Sequence, residues 1–334
     1  MPWRGKINPR VSTAEGVEGV KGVEGIKGHP RLPTLTPSTP STPSTPWGFR
    51  ATFSPVTDRR SFLSTCGAAL LGAACSRVGN TQPGERLERI GVQLYTVRRD
   101  LARDFEGTIS RIAEIGYREL EFAGYHDKSP AEIRALLARL NLTAPSSHVP
   151  IEAFRNDTSA AIAAATQVGH RYLIVPWLAP EARRSLDDYR RLAEELNRIG
   201  EKVKAAGMQL GYHNHDFELE PMGGSVPLDV LMNGTEANLV VLELDLYWAT
   251  KAGADPLSYF ARFPGRVQLV HVKDSAGAPD HRMVDVGKGT IDFAKIFSRR
   301  EQAGLRHAFV EHDDPANPLE TLRVSHAHLA QLTW

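Results

Sequence analysis

The residues best equipped for chemistry sit in the stretch Leu210 to Asp216, which reads Leu-Gly-Tyr-His-Asn-His-Asp. In an extended strand alternate side chains share a face, so His213 and His215 point the same way. Imidazole is the commonest metal ligand and the side chain that titrates nearest neutral pH. Three later apolar runs finish in the same manner. Val-Val-Leu-Glu-Leu-Asp closes on Asp245, Val-Gln-Leu-Val-His on His271, and Ala-Phe-Val-Glu-His on Glu311 and His312. Four runs that each deliver a ligand-type residue at the C-terminal end imply one shared site. Cys66 and Cys75 are the two cysteines of the chain, so any ligands in the part that follows must be nitrogen and oxygen. A cation held on a keto-sugar would polarise its carbonyl and stabilise the enediolate formed when the α-proton leaves. Glu311, His148 or His215 could take that proton. Lys273 shares a face with His271 if the strand continues, and could donate to a substrate oxygen. Tyr95, Trp177 and Trp248 would line the pocket and stack on sugar rings, with Glu121 as a further substrate contact.

Each assignment has a plainer alternative. A histidine at a strand end often serves only as a hydrogen-bonded structural residue, as His148 could. His215 could orient a ligand rather than touch substrate. Lys273 could pair with Asp274, and Glu121 could be a buried barrel carboxylate. His126, His170, His281, His326 and His328 are assigned to surface or loops. The run Arg183, Arg184, Arg190 and Arg191, interleaved with acids, reads as a solvated helix face.

These residues need a scaffold, and the alternation of patterns supplies one. Strand-like runs occupy Ile90–Thr96, Glu119–Phe122, Leu142–His148, Tyr172–Val175, Met208–His213, Leu239–Asp245, Val267–His271 and His307–Glu311. Helical spacing lies between them at Phe105–Ile115, Pro130–Leu140, Ser159–Val168, Leu186–Ala206, Leu228–Met232, Pro256–Phe263, Phe293–Ala303 and Leu319–Leu332. Ser129-Pro130 is a start signal, with serine as N-cap and proline at the first position. Strict alternation implies parallel strands, and eight units imply an α/β fold of the (β/α)8 TIM barrel type. In that architecture the active site lies at the C-terminal ends of the strands, where the residues named above fall. A doubly wound open sheet would need a Gly-rich phosphate turn after the first strand, and Val97-Arg98-Arg99-Asp100 stands there instead.

At 334 residues and 41% hydrophobic the chain can bury a sizeable core. A formal net charge of +1 gives no reason to expect a nucleic-acid partner. Residues 1–57 do not read as fold. Glu-Gly-Val and Lys-Gly-Val units alternate, then a Thr-Pro-Ser repeat runs to Pro46, and such composition is expected to be a disordered extension or sequence upstream of the true start. Residues 58–80 resemble a twin-arginine secretion signal: Arg59-Arg60-Ser61-Phe62-Leu63, then a short apolar stretch from Cys66 to Cys75. That stretch is too short to span a bilayer in the mature chain. The expectation is an exported, periplasmic protein, with Leu71-Gly72-Ala73-Ala74-Cys75 loosely resembling a lipidation box at Cys75. Residues 81–334 would form the barrel, compatible with a homo-oligomer.

Several stretches then carry a specific resemblance: Ile90–Arg98, Tyr117–Phe122, Ser146-Ser147-His148, Gly211–Phe217, His271-Val272-Lys273-Asp274 and Val286–Asp292. With them the chain resembles the xylose-isomerase-like barrel superfamily, the sugar phosphate isomerases and epimerases. The resemblance implies one divalent cation, commonly manganese, held by Glu, Asp, His and Glu on consecutive late strands. By position these ligands are His213, Asp245, His271 and Glu311, with His213 where the usual residue is glutamate. A His/carboxylate set suits Mn²⁺, Zn²⁺, Co²⁺ or Fe²⁺ better than Ca²⁺. Two departures bear on the reaction. The epimerases use two metal-bound carboxylates, one on each side of the sugar, and His213 removes one of them. Three residues past Asp245, Trp248 stands where such enzymes often have a substrate-contacting histidine. The family default is a sugar isomerase or epimerase. A lyase or hydratase on an oxidised sugar is the second reading, and a non-catalytic carbohydrate-binding barrel the third. An abasic-site nuclease would require a multi-metal cluster and a basic face.

Overall fold

A computed structural model describes residues 84–334 of the chain. The expected low-complexity extension, the twin-arginine segment and Cys75 all lie outside the described residues. Eight parallel strands close into a barrel: β1 (Gly91–Gln93), β2 (Glu119–Phe122), β3 (Thr143–His148), β4 (Tyr172–Val175), β5 (Gln209–His213), β6 (Val240–Asp245), β7 (Val267–Val272) and, after a small hairpin, β10 (His307–Val310). The order round the barrel is β1-β10-β7-β6-β5-β4-β3-β2, every pair parallel, so each strand lies beside its chain neighbours and β10 returns to β1. The (β/α)8 architecture read from the sequence is the architecture of the molecule.

Period-two alternation divides each strand between two cores. On β6 Val240, Leu242 and Leu244 face the surrounding helices, while Val241, Glu243 and Asp245 face the barrel axis. Inside, Ile174, Val241, Leu269 and Phe309 form an apolar plug below the polar residues. Gly211 makes room for it, because a Cβ there would stand 2.5 Å from Ile174 Cδ1. The plug keeps water from passing through the barrel and makes the polar layer above it a floor rather than a pore.

The helices match most of the expected pattern, but a helix at Arg98–Arg103 was not expected, Phe293–Ala303 is divided into Phe293–Phe297 and Arg300–Ala303, and further differences follow. Ser129 and Glu132 form the capping box that starts Pro130–Arg139. The next helix begins at Ile151, well before the expected Ser159. It breaks at Asp157 (φ −158°, ψ 90°), whose Oδ1 accepts from Ala160 N at 2.9 Å. The sequence signal found at Ser159 is this internal re-capping, not the helix start. Asp245 caps a helix, Leu246–Lys251, that periodicity did not separate from its neighbours. A two-stranded antiparallel hairpin, β8 (Asp274–Ser275) with β9 (Met283–Val284), follows β7. Asp274 holds the segment beyond it: its carboxylate accepts from the amides of Gly287 (2.9 Å), Gly289 (3.0 Å) and Ile291 (3.2 Å). Among the described residues no helix is long and apolar enough to cross a membrane.

Candidate metal centre

Two polar layers lie above the plug. The upper one is built from the last inward residues of β6 and β7 and the residue following β10. Asp245, His271 and Glu311 bring ligand atoms within 4.8 Å of one another, all buried. His271 Nδ1 is 2.7 Å from Glu311 Oε2 and 3.8 Å from Asp245 Oδ2. His213, from β5, turns its Nε2 to 3.9 Å from Asp245 Oδ2. Lys273 enters the same space, with Nζ 3.0 Å from Asp245, 2.8 Å from Glu311 and 2.7 Å from Asp313.

The lower layer contains residues that spacing had only partly identified. Glu243 stands two positions before Asp245, so strand alternation puts it on the same inward face one layer down. Its Oε2 lies 2.7 Å from His148 Nε2, 3.2 Å from His271 Nε2 and 3.4 Å from His213 Nδ1. Glu121 accepts from His271 Nε2 at 2.6 Å, from Gln93 Nε2 at 2.8 Å and from the Ser146 hydroxyl. His148, His213, Glu243 and His271 thus form a second cluster of ligand-type atoms, with His271 common to both layers.

The electrostatics follow from burial set against neighbouring charge. Burial pushes the Asp245 carboxyl up, to about 6, despite Lys273 and His271. For Glu311 burial also pushes upward, but Lys273 and His271 outweigh it and hold the group well below the ordinary range. His271 is the reverse: burial lowers its pKa, and Glu243, Glu311 and Glu121 raise it well above normal. Burial would likewise lower Lys273, yet Asp245, Asp313 and Glu311 keep the ammonium charged. Of the two deep carboxyls, Glu121 is raised by burial and by the charge of Glu243. Glu243, buried as fully, is held well down by His271 and His148. Burial depresses His213 to about 3 and His215 well below its usual value, leaving both neutral.

The upper set fits a divalent cation. Asp245 Oδ1 is used by the Trp248 amide at 2.9 Å, but Oδ2 is buried without a hydrogen-bond partner. His271 Nδ1 is equally buried and makes no hydrogen bond despite its 2.7 Å approach to Glu311. His213 Nδ1 and Glu243 Oε1 are also unpartnered. Buried polar atoms without partners are uncommon and costly, and a cation among Asp245, His271 and Glu311 would satisfy the upper two. Imidazole with carboxylate is a donor set for a transition-metal ion.

The remaining expected site residues fall as follows. His148 lies at the floor, engaged with Glu243, its ring parallel to that of His271 at 5.3 Å. Glu121, expected to touch substrate, is fully buried with its carboxylate committed to three donors, which matches the alternative of a barrel carboxylate. His215 packs between Phe217 and Trp248, both 5.5 Å away, and its Nδ1 is unpartnered, as is Trp248 Nε1. Tyr95 belongs to a 3-10 turn after β1 rather than to the strand, with the Arg98 guanidinium 4.0 Å over its ring. Trp177 is 41% exposed beyond the end of β4. Lys273 does not pair with Asp274, whose carboxylate is taken by backbone amides. His170 corrects the surface assignment: it is buried, with Nδ1 2.7 Å from Ala144 O and Nε2 3.1 Å from the Tyr125 hydroxyl. Glu243 and Asp313 had not been singled out. The Glu-Leu-Asp alternation of β6 was the available signal for the first.

Residues 109–332 match the sequence profile of the xylose isomerase-like TIM barrel family. The chain belongs to that family. Among curated relatives of this xylose isomerase-like barrel, the inosose dehydratase of Lacticaseibacillus casei is 30% identical over 158 residues, 40% of this chain and 51% of that protein. The chain therefore spans about half the length of that relative. The inosose dehydratase of Clostridium perfringens (strain ATCC 13124) is 27% identical over 270 residues, 66% of this chain and 88% of that one. A sugar phosphate isomerase/epimerase from Parabacteroides distasonis has a solved structure with a TM-score of 0.64 and 24% identity, covering 78% of this chain and 98% of that one. The chain is thus similar in sequence to proteins named inosose dehydratase and in fold to one named a sugar phosphate isomerase/epimerase.

Proposed function

We propose that this barrel removes the α-proton of a polyhydroxylated ketone and expels hydroxide from the adjacent carbon, the chemistry of a metal-dependent dehydratase on an inosose-like or keto-sugar substrate. The observation carrying the reading is the set Asp245, His271 and Glu311, buried at the C-terminal mouth, in which Asp245 Oδ2 and His271 Nδ1 make no hydrogen bond and have as their closest contacts the ionic ones with Lys273 and Glu311. His213 would complete the set, and Mn²⁺ is the ion to load first. When bound, the cation would polarise the substrate carbonyl and stabilise the enolate.

The chain's own groups divide the remaining work. Glu311, the base expected from the sequence, is already in contact with His271 and Lys273. His148 is tied to Glu243. His215 retains an unpartnered nitrogen and is neutral, so it has a free lone pair for the proton, although burial makes it a weak base. Lys273 stays cationic, its Nζ engaged by Asp245, Glu311 and Asp313, and would stabilise the developing oxyanion through its charge. Trp248 offers an unused indole N–H to a substrate hydroxyl. Trp177 and Tyr95 would pack against the ring.

Symmetric epimerisation needs a carboxylate base on each side of the carbon, and His213 stands where one of them would be. Elimination needs only one base, and the dehydratase names of the curated relatives support that branch. One-base isomerisation is the second reading, favoured by the same asymmetry. The test is to incubate the metal-loaded protein with keto-cyclitols and keto-sugars in deuterated water. Loss of water, with deuterium entering at the carbon that lost hydroxide as the enol ketonises, supports elimination, and α-deuterium in a rearranged sugar that has lost no water supports isomerisation. His215→Gln should abolish uptake while retaining metal. No uptake with any substrate, from protein shown to hold metal, would leave a carbohydrate-binding barrel.

A further inference from the structure

The deep carboxylates have no role in the reaction as described, yet the barrel buries two of them together beneath the mouth. Gln93 shows how firmly one is placed. Its Oε1 accepts from the Tyr95 amide at 3.0 Å, which fixes the amide orientation and aims Nε2 at Glu121, 2.8 Å away. The Ser146 hydroxyl braces the other oxygen of Glu121. Held from two sides, Glu121 presents Oε2 to His271 Nε2 at 2.6 Å. A carboxylate can only accept, so this nitrogen of His271 carries a proton, and Nδ1 is the one that must give its proton up to a cation. The opposite nitrogen, Nδ1, is then the one that faces Asp245 and Glu311.

The second carboxylate, Glu243, stands near His213 without hydrogen-bonding it. Glu243 Oε2 faces His213 Nδ1 at 3.4 Å, leaving His213 Nε2 on the Asp245 side. His148 bridges the pair, with Nε2 2.7 Å from Glu243 and 3.4 Å from Glu121. One imidazole of the upper set, His271, is thus backed by a hydrogen-bonded buried carboxylate on the nitrogen turned away from that set.

We infer that Glu121 is a positioning residue, which fixes a proton on Nε2 of His271 and the orientation of its ring so that the opposite nitrogen is presented to a divalent cation. The inference rests on the reading of Asp245, His271 and Glu311 as the cation site. Outer carboxylates of this kind change metal affinity by about 10- to 100-fold in metalloproteins.

The experiment measures Mn²⁺ and Zn²⁺ affinity by competition with a chromophoric chelator, metal stoichiometry, and histidine ¹⁵N shifts of the metal-free protein. The variants are Glu121→Met, Glu121→Gln, Ser146→Ala and Glu311→Gln. Glu121→Met, near-isosteric and without an acceptor, should weaken the metal by about 10- to 100-fold. The same variant should shift the His271 Nε2 resonance, because the nearest acceptor of its proton is gone. Glu121→Gln retains an acceptor and should recover part of the affinity and of the wild-type resonance position. Ser146→Ala, which removes only the brace, should give a smaller loss in the same direction and covers the case in which Glu121→Met does not fold. Metal lost in Glu311→Gln but unchanged in the folded Glu121 variants would overturn this inference and leave the cation site standing. Two equivalents in the wild type would also overturn it, because the deep atoms would then be ligands. No metal in wild type and Glu311→Gln alike would remove the cation site, and with it this inference.

Discussion

Both ends of the barrel axis carry a histidine against a glutamate, and the two ends use the pair differently. At the base, His307 Nδ1 lies 2.7 Å from Glu119 Oε2, Arg89 stands 3.7 Å away, and Tyr172 donates to Gln268 at 3.0 Å. At the mouth, His271 lies between three glutamates, and atoms of Asp245, His213 and His271 are left unpartnered. The base pair is satisfied by what surrounds it. The mouth is a surplus of donors arranged for something else. A histidine beside a carboxylate is therefore no mark of function. A buried histidine beside more carboxylates than it can serve, with ligand atoms left idle, is one.

The largest expected effect tests that surplus. His271→Ala removes the one group common to both layers and leaves Glu121 and Glu243 facing each other without it. Breaking such a buried arrangement costs about 3–5 kcal/mol, so the midpoint of chemical denaturation should fall sharply, and bound metal should fall to background. At the base, Glu119→Gln should cost about 1 kcal/mol, the worth of an ordinary hydrogen bond, with metal content unchanged. Equal effects of the two substitutions on metal retention would erase the distinction between the ends.

The sequence made much of this arrangement legible because strand ends are where a barrel keeps its chemistry, and alternation says which residues face inward. His213, Asp245, His271 and Lys273 were found on that logic, and all four are buried inside the barrel. What escaped was depth. Residue spacing places Glu121 and Glu243 on the inward face but does not say that a layer of apolar side chains stops just below them, or that Gln93 and Ser146 turn toward them. The register shift between β2 and β3, at Glu119 to Glu121, sets which serine meets Glu121, and no single-strand pattern carries it. His170 escaped for a related reason. It precedes β4 in sequence, where exposure is usual, and is buried because Ala144 and Tyr125 come to it from other segments.

His170 also supplies a pH test of a histidine whose nitrogens are both partnered. Burial lowers its pKa to about 4, despite the Ala144 carbonyl, from about 6.5 in the unfolded chain. The folded state therefore binds fewer protons here, so this stabilisation is present above pH 6.5 and is lost as pH falls toward 4. The full amount is on the order of 3 kcal/mol. Denaturation of His170→Gln, which keeps a donor for Ala144, should show a flatter loss of stability over that window than the wild type. Parallel pH curves for the two proteins would mean that His170 titrates like an exposed histidine.

The smallest contrast lies along a single strand. Tyr172 starts β4 at the base with its hydroxyl on Gln268, and Trp177 stands just beyond its other end, exposed. Tyr172→Phe removes one hydrogen bond from a part-buried pair and should cost about 1 kcal/mol, with catalytic constants unmoved. Trp177→Ala removes an aromatic ring that is largely in water, so stability should change by no more than about 0.5 kcal/mol. If the ring packs against substrate, its loss should raise KM several-fold and leave kcat nearly unchanged, because binding lost equally from ground and transition states appears in KM. A fall in kcat at constant KM would place Trp177 in the transition state. No change in either constant would remove it from the pocket, leaving Tyr95 and Trp248 as the aromatic wall. The two ends of one strand would then differ only in stability, and the functional mouth would contract to the ends of β1, β5, β6, β7 and β10.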